Sequence, residues 1–328
     1  MSTLQRAGPT PFHRLDRASA RLGLDLWTKR DDLYPLSGGG NKARKMAALA
    51  TSLPAAACEV VITTGGLQSN HARVVALTAA ARGWECILVL HGSEEERARQ
   101  ADLGNLRLCE LAGARIVVVA ADQIASTIER WNALRRGEGR QVWVIPGGGH
   151  TPLAAAAYVD ATRELAVDCA PSRWRPDWLV HASGTGATQA GLCVGFATLG
   201  WSTRVVGISI ARRNPRARSV VLDSIRELSN ANTMSFALDG QAEDLVEVRD
   251  EWVGAGYEQA DAHVHDVIAR LAREEGLLLD PTYTGKAFLA LENMAAAGEI
   301  PRGDGVVFWH TGGLLNLLAD TRQGSVDR

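Results

Sequence analysis

The chain has 328 residues, and its 35 Lys and Arg against 37 Asp and Glu give a formal net charge of -2. Because no basic tail or stripe accompanies this balance, the composition argues against nucleic acid or an anionic membrane as a partner. Five cysteines without a CxxC pair argue against a disulfide framework or zinc site and favour a reducing, cytoplasmic location. No apolar run reaches the roughly 18 residues that a membrane span needs.

Short runs of β-branched and other apolar residues alternate with longer segments rich in Ala, Leu and Arg. Runs that are apolar throughout are typical of parallel strands buried on both faces, so the pattern predicts an α/β fold with parallel sheets. The predicted strands are Val60 to Thr64, Ile87 to Leu90, Ile116 to Val119, Val142 to Ile145, Trp178 to Val180, Val205 to Ile208 and Val306 to Trp309. Predicted helices include Ala72 to Arg82, Gly104 to Ala112 and Gln189 to Leu199, and the arginine-rich stretch from Arg212 to Arg218 is predicted to be a solvated loop.

Four predicted strands run into glycine-containing loops. Since ligands of open α/β sheets bind beyond the carboxyl ends of the strands, we expect these loops to line one cleft. A glycine run that gives way to an Ala-rich segment also indicates a domain boundary near Pro146 to Leu153. The four loops are Thr64-Gly65-Gly66, Pro146-Gly147-Gly148-Gly149, Ala182-Ser183-Gly184 and Thr311-Gly312-Gly313.

The most informative segment is a glycine-rich turn that presents a lysine, Ser37-Gly38-Gly39-Gly40-Asn41-Lys42. Glycine lets another molecule approach the backbone closely, and the positive dipole end of the helix that follows lowers the pKa of a nearby lysine. Covalent chemistry with an aldehyde cofactor requires a neutral amine. We therefore predict that Lys42 is catalytic, the alternative being a solvated lysine beside a loop.

A second polar segment, Gln68-Ser69-Asn70-His71, separates a predicted strand from an Ala-rich helix. Ser69 and Asn70 occupy positions at which side chains cap helices, and the same positions could hold a substrate carboxylate. His71 is either a surface histidine or one that titrates near neutrality beside the ligand.

A third segment, Ser183-Gly184-Thr185-Gly186-Ala187-Thr188, directly follows a predicted strand. Glycines, hydroxyls and a following helix N-terminus form a cradle for an anion. The segment lacks the lysine of a nucleotide-binding P-loop, and no GxGxxG opens the first βαβ unit. A single phosphate monoester therefore fits better than a nucleoside triphosphate or a dinucleotide, the alternative being a tight strand-to-helix turn.

Two tyrosines of only four in the chain lie in glycine-containing surroundings, Tyr283 between Pro281 and Gly285 and Tyr257 after Gly256. A buried tyrosine near a cofactor can stack on it or transfer protons, and by default each would be a packing residue with a satisfied hydroxyl.

Taken in order, these motifs resemble the family of D-cysteine desulfhydrase and 1-aminocyclopropane-1-carboxylate deaminase. Its members depend on pyridoxal 5'-phosphate (PLP) and share the fold of the tryptophan synthase β subunit, PLP fold type II. The similarity runs from Thr10-Pro11 and Lys29-Arg30-Asp31-Asp32 to His310-Thr311-Gly312-Gly313, almost the whole chain.

The resemblance implies a two-domain α/β fold with twisted, parallel-rich sheets flanked by helices. Residues 1–50 and 151–328 are expected to form the larger, PLP-binding domain and residues 51–150 the smaller one. The active site is expected in the cleft between them.

The resemblance also implies which residues bind the cofactor. Lys42 would attach to PLP covalently and later move the α-proton of the substrate. Asn70 would hydrogen-bond the phenolic oxygen of PLP, and Thr311 would face its pyridine nitrogen. The phosphate would be held by Gly184, Thr185, Gly186, Ala187 and Thr188.

Other matching residues would act on the substrate. Ser69, with Asn70 beside it, would take the substrate carboxylate, and Tyr283 and Tyr257 would lie close by, with Tyr283 stacking or assisting proton transfer. His71 follows Ser69-Asn70 as in the desulfhydrase-like members, whereas the cyclopropane deaminases have glutamine there. His150 departs from the small polar residue typical of the family, so we expect a bulky, titratable group in the substrate pocket.

The sequence therefore predicts a cytoplasmic, homodimeric PLP-dependent lyase that catalyses α,β-elimination on a small amino acid such as D-cysteine, giving pyruvate, ammonia and sulfide. The dimer is expected from the resemblance alone. Alternatives with the same cofactor are deamination of a cyclopropane amino acid and β- or γ-substitution. A further alternative is a non-catalytic ligand-binding module of the same fold.

Overall fold

The computed structural model describes residues 8–52, 58–231, 241–257 and 259–320, which form two β-sheets with helices packed against them. The strands are β1 (Phe12–Arg14), β2 (Asp25–Arg30), β3 (Val60–Gly66), β4 (Glu85–His91), β5 (Arg115–Val119), β6 (Val142–Val144), β7 (Trp178–Ser183), β8 (Arg204–Ser209), β9 (Glu247–Arg249) and β10 (Gly305–His310). The helices are α1 (Asp16–Leu22), α2 (Asn41–Ser52), α3 (Asn70–Arg82), α4 (Glu94–Gln100), α5 (Gly104–Leu111), α6 (Ile124–Gly137), α7 (Pro152–Cys169), α8 (Ala187–Thr198), α9 (Arg216–Asn230), α10 (Ala262–Glu275), α11 (Thr284–Ala296) and α12 (Leu314–Ala319). Within these ranges, no helix combines the length and the apolarity that a membrane span requires.

The larger sheet has six strands in the order β1-β2-β10-β7-β8-β9. Every neighbouring pair is parallel except β1 and β2, so the predicted parallel arrangement is confirmed. The predicted strands did not include β1, β2 or β9. Their sequences contain charged residues, because β1 and β9 lie at the edges of the sheet and β2 contains Lys29, whose buried amine pairs with Glu164 and Asp168.

The smaller sheet has four parallel strands in the order β5-β4-β3-β6. Its two central strands are buried, but β5 and β6 are partly exposed along their length. The expectation that every apolar run is buried on both faces is therefore wrong for β5 and β6, which lie at the edges. The strands of this sheet all come from residues 60–144, which is compatible with the domain division at residues 50 and 150, and that division stays a prediction.

The six-stranded sheet is buried between two apolar layers. Successive residues of β10 alternate between them, with Val306 and Phe308 in one layer and Val307 and Trp309 in the other. On the second side, α7 and α8 approach so closely that a Cβ atom at Gly191 would lie 2.2 Å from the carbonyl oxygen of Ala155. Packing against α7 therefore fixes the position of α8, which begins directly after the loop that follows β7.

A buried polar network fixes the first turn of α2. Arg44 donates two hydrogen bonds to the Asp31 carboxylate, at 2.7 and 3.1 Å, and a third to Glu164 on α7 at 2.8 Å. Tyr158, also on α7, donates to Asp31 at 2.6 Å. Burial alone would raise the pKa of Asp31, but the Arg44 guanidinium outweighs it and holds the pKa below its ordinary value. The stabilisation by this carboxylate is therefore complete above the unfolded-state pKa of about 4 and is lost as the pH falls further.

We expect Asp31→Asn to lower the free energy of unfolding by about 3 kcal/mol, because it leaves the buried Arg44 guanidinium undercompensated. Asp160→Asn on α7 is the matched control, since Asp160 forms an exposed ion pair with Arg163, and its loss should cost less than about 1 kcal/mol. Urea denaturation at pH 7 measures both variants. Equal losses would show that the network does not anchor α2.

Candidate active site

Two adjoining cavities lie beyond the carboxyl ends of the strands. The inner cavity lies between the start of α2, the loop from Ala182 to Thr188, and the loop at Thr311 and Gly312. The outer cavity lies between the loops after β3 and β6, the loop after β8, and Tyr257. Lys42 and Tyr283 line both cavities. All four glycine-containing loops contribute walls, so the expectation that they line one cleft is confirmed.

Lys42 is the second residue of α2, as the sequence predicts. The chain reaches it through Gly38, Gly39 and Gly40, all at positive φ, and a Cβ atom at Gly39 would lie 2.0 Å from the carbonyl oxygen of Asp32. The Nζ atom of Lys42 donates to the carbonyl oxygen of Gly148 at 2.9 Å. No carboxylate of the described residues lies within 4.0 Å of this amine. Burial lowers the pKa of Lys42 to about 8, so its neutral form is far more populated than that of an ordinary lysine.

The loop after β10 holds the start of α2 in register. The backbone N–H of Asn41 donates to the carbonyl oxygen of Thr311 at 2.8 Å, and a Cβ atom at Gly40 would lie 3.2 Å from that oxygen. Thr311 itself is buried and lines the inner cavity. The lysine turn and the Thr311 loop therefore meet backbone to backbone.

The predicted anion cradle forms the opposite wall of the inner cavity. Gly186, at φ 92°, precedes α8, and no side chain caps the first turn of this helix. Its free N–H groups therefore remain for a ligand. A Cβ atom at Gly186 would lie 2.8 Å from the carbonyl oxygen of Val220, so only glycine fits there.

Lys45 is a site residue that the sequence analysis missed. It is buried, it lines the inner cavity, and within the described part of the chain it has no carboxylate partner. Burial and the charge of Lys42 lower its pKa. Its spacing of three residues from Lys42, which places both on one side of α2, is the signal that could have found it. A buried lysine amine and a cradle of free N–H groups together fit a phosphate group, whose negative charge would favour the protonated amine.

Three asparagine side chains meet beside the inner cavity. Asn70 donates to Asn316 Oδ1 at 2.5 Å and accepts from Asn105 at 3.2 Å. These bonds use one Nδ2 hydrogen of Asn70 and fix the plane of its amide. Asn105 and Asn316 belong to no recognisable sequence motif, so only the fold brings them to Asn70.

Ser69 and His71 line the outer cavity. Ser69 caps α3, accepting a hydrogen bond from the N–H of Ala72 at 3.2 Å, so the capping interpretation is confirmed. Both interpretations of His71 are wrong, because it is buried, and burial together with the charges of Lys42 and Lys45 lowers its pKa to about 3. Its Nε2 atom lies 2.9 Å from the Thr63 hydroxyl. Because that hydroxyl donates its hydrogen to the carbonyl oxygen of Ile145, Nε2 carries the proton and donates to Thr63, and the lowered pKa of the ring leaves Nδ1 as an acceptor.

Tyr257 and Tyr283 meet at the outer cavity. Their hydroxyl oxygens are 2.5 Å apart, and their rings are edge to face. Asp280 fixes the backbone at Tyr283 by accepting from its N–H and from that of Thr282. The predicted pair is therefore brought together at the cavity that contains Lys42.

His150 does not line either cavity. The chain turns at Gly148 and Gly149, both at positive φ, and the imidazole Nε2 of His150 lies 3.3 Å from the Ser224 hydroxyl on α9. The sequence predicts that His150 places a bulky group in the substrate pocket, whereas the structure places its imidazole against α9.

The arginine-rich stretch also differs from its prediction. Arg216 begins α9, and Arg212 is half-buried with a hydrogen bond of 2.6 Å to the carbonyl oxygen of Gly184. Both arginines line the outer cavity rather than a solvated loop.

The fold and the cavity define the class of protein to which the chain belongs. Residues 3–312 match the family model described as "Pyridoxal-phosphate dependent enzyme". The architecture is that of PLP fold type II, and the chain belongs to the PLP-dependent enzymes.

Comparison with individual proteins of similar sequence narrows the family to which the chain belongs. The 1-aminocyclopropane-1-carboxylate deaminase of Ralstonia nicotianae is 33% identical over 324 residues, 95% of this chain and 94% of the relative. The D-cysteine desulfhydrase of Serratia proteamaculans is 32% identical over 320 residues, 94% of this chain and 93% of the relative. A crystal structure of an ACC deaminase homologue superposes with a TM-score of 0.84 at 34% identity, covering 96% of this chain and 92% of that one. The chain is thus a member of the deaminase and desulfhydrase family.

The lowered pKa of Lys42 predicts a pH dependence for covalent capture of PLP by the cofactor-free protein. Because only the neutral amine attacks an aldehyde, the rate should rise about tenfold per pH unit below pH 8 and level off above it. Stopped-flow absorbance between pH 6 and 10 measures this rate, with free N-acetyl-lysine amide as the reference amine. A rate that still rises about tenfold per pH unit up to pH 10, as for the reference amine, would contradict the lowered pKa of Lys42.

Proposed function

We propose that this enzyme is a PLP-dependent lyase that catalyses α,β-elimination on a small amino acid, with D-cysteine as the first candidate. The observation that carries the proposal is the amine of Lys42, which has no carboxylate partner in the described structure and a pKa lowered to about 8. It shares one cavity with an uncapped helix N-terminus and the buried amine of Lys45.

The inner cavity has the groups that would hold PLP. The loop from Gly184 to Thr188 would bind the phosphate through the first N–H groups of α8, with Lys45 supplying positive charge. Asn70, oriented by Asn105 and Asn316, would donate its remaining amide hydrogen to the phenolic oxygen. When bound, PLP supplies the electron sink that stabilises negative charge at the α-carbon of the substrate.

Thr311 would meet the ring nitrogen of the cofactor. A neutral hydroxyl, unlike a carboxylate, does not hold a proton on that nitrogen, so the electron sink is weaker. A weak sink suits reactions in which the leaving group departs quickly, and this favours elimination over chemistry that needs a long-lived carbanion.

Side chains of the outer cavity would place the substrate. The N-terminal amides of α3 and the hydroxyl of Ser69 would bind the α-carboxylate. Lys42 would take the proton from the α-carbon, and the bond from the β-carbon to sulfur would break with its electron pair remaining on sulfide. Hydrolysis of the unsaturated product then yields pyruvate and ammonia. Tyr283, hydrogen-bonded to Tyr257, and the neutral Nδ1 of His71 lie close enough to the cavity to position the side chain.

A second candidate is deamination of a cyclopropane amino acid. It is favoured by the relative of that name and by the paired tyrosines, which could exchange protons with a ring carbon. Substitution in place of elimination would give a new amino acid instead of a 2-oxoacid and ammonia. The homodimer and the cytoplasmic location stay predictions.

Lys42→Ala is expected to lower turnover of any substrate by at least about 10³-fold, because the variant has no amine to move the α-proton. Lys42→Arg, which keeps the positive charge but not the nucleophile, should be equally inactive. Lactate dehydrogenase-coupled assay of pyruvate measures turnover, and circular dichroism checks that both variants remain folded. Wild-type turnover in either variant would reject the assignment of Lys42.

D-cysteine or β-chloro-D-alanine should give a higher kcat/KM than L-cysteine, L-cysteate or 1-aminocyclopropane-1-carboxylate. Pyruvate, 2-oxobutyrate, ammonia and sulfide are measured for each. If 1-aminocyclopropane-1-carboxylate has the highest kcat/KM, with 2-oxobutyrate as product, the second candidate is selected and the cofactor assignment is unaffected.

A further inference from the structure

Lys286 is a buried lysine that the proposed reaction does not use. It is the third residue of α11, it is 1% exposed, and it lines neither the inner nor the outer cavity. Within the described residues no carboxylate lies within 4.0 Å of its amine, whereas the buried amine of Lys29 has two. An amine that is buried without a counter-charge loses its hydration and gains no ion pair in return. Its place in the fold therefore depends on another contact.

The amine of Lys286 joins two backbone carbonyl groups. Its Nζ atom donates to the carbonyl oxygens of Val253 and Gly256, each at 2.9 Å. The backbone between these groups turns at Gly254, whose φ of 66° lies in the left-handed region that favours glycine. One amine therefore closes a turn, residues 253–256, from both of its ends.

The hydrogen bonds of this turn to its neighbours along the chain are longer than those to the lysine. The N–H of Val253 donates to the carbonyl oxygen of Asp250 at 3.4 Å, and the N–H of Gln259 donates to that of Gly256 at 3.2 Å. Within the described residues, the two bonds from Lys286 are therefore the shortest that hold the turn.

The turn leads directly to Tyr257, and α11 follows Tyr283 directly. The start of this helix is tightly packed, since a Cβ atom at Gly285 would lie 2.8 Å from the carbonyl oxygen of Asp280. One rigid element thus places both tyrosines of the outer cavity. It holds Tyr283 through the chain and Tyr257 through the amine of Lys286.

We propose that Lys286 is a positioning residue, whose two hydrogen bonds to the turn before Tyr257 hold the hydroxyl of that tyrosine against the hydroxyl of Tyr283. The inference rests on the proposed function where it concerns turnover, because it gives the tyrosine pair a part in that reaction. Since Lys286 lines neither cavity, it acts through Tyr257 and not on the substrate. Loss of its amine should displace Tyr257 and leave Lys42 and the phosphate cradle in place.

The contact between the two hydroxyls is measurable without turnover, because the chain has only four tyrosines. Labelling with [ζ-13C]tyrosine gives one NMR signal for each of them, whose position depends on the hydrogen bonding of the hydroxyl, and single Tyr→Phe variants assign the signals. In Lys286→Met the signals of Tyr257 and Tyr283 should shift by more than a line width. The signals of Tyr34 and Tyr158, which lie elsewhere in the fold, should stay in place.

Arg213→Gln is the matched control on the same turn. Arg213 is exposed and donates to the carbonyl oxygen of Gly254 at 3.4 Å, a bond that water can replace, so all four signals should be unchanged. Lys286→Ala provides the test if Lys286→Met does not fold. Propylammonium, which has the atoms that this substitution removes, should return the Tyr257 signal to its wild-type position, and dialysis should shift it again.

A double-mutant cycle relates the contact to turnover. Tyr257→Phe and Lys286→Met should each lower kcat about 10- to 100-fold, as expected when a group at the reacting atoms is misplaced, and PLP content should be unchanged. The double variant should lie within about twofold of Tyr257→Phe, because both substitutions remove the same hydroxyl contact.

The two measurements separate this inference from the proposed function. Unchanged Tyr257 and Tyr283 signals in Lys286→Met would overturn the inference, even in an enzyme that catalyses the elimination. A shift of all four signals that propylammonium does not reverse in Lys286→Ala would also overturn it, as would losses of kcat that multiply in the double variant. A shift confined to the tyrosine pair, in a protein that turns over no amino acid, would support the role of Lys286 and reject the elimination.

Discussion

The active site depends on a difference between two basic residues in the first turn of α2, one of which is paired with carboxylates while the other is not. Arg44 is fully paired with Asp31 and Glu164, and this buried pairing holds the turn against α7. Within the described residues, the amine of Lys42, two residues earlier, has the carbonyl oxygen of Gly148 as its one hydrogen-bond partner. Because the first pairing fixes the backbone, the second side chain can remain in a low-dielectric cavity without a counter-charge, and a reactive amine follows from that position.

The glycines allow the distant segments to meet. Gly40 lies against Thr311, Gly148 lies beside Lys42 and Thr185, and Gly186 lies against α9, each at a distance that leaves little room for a side chain. These contacts bring the carboxyl ends of strands from both sheets to one cleft.

Much of the fold followed from the sequence, because buried parallel strands have continuous apolar runs and the chemistry lies in short ordered motifs. Strands β1, β2 and β9 could not be predicted, since a sheet edge or a buried ion pair such as that of Lys29 removes the apolar signal. The Lys42 turn and the Gly186 cradle were visible as motifs. The lowered pKa of His71 and the contact of His150 with Ser224 depend on tertiary packing. The asparagine cluster depends on residues as far apart in the sequence as Asn70 and Asn316.

The central claim is that the cofactor attaches to one lysine among only four, Lys29, Lys42, Lys45 and Lys286. The most direct measurement is the visible spectrum of the purified protein before and after borohydride, with peptide mapping of the reduced adduct. We predict a visible absorption band that borohydride abolishes and a reduced cofactor on the peptide that contains Lys42. A protein that stays colourless and unmodified after incubation with added PLP, or an adduct on another lysine, would contradict this account.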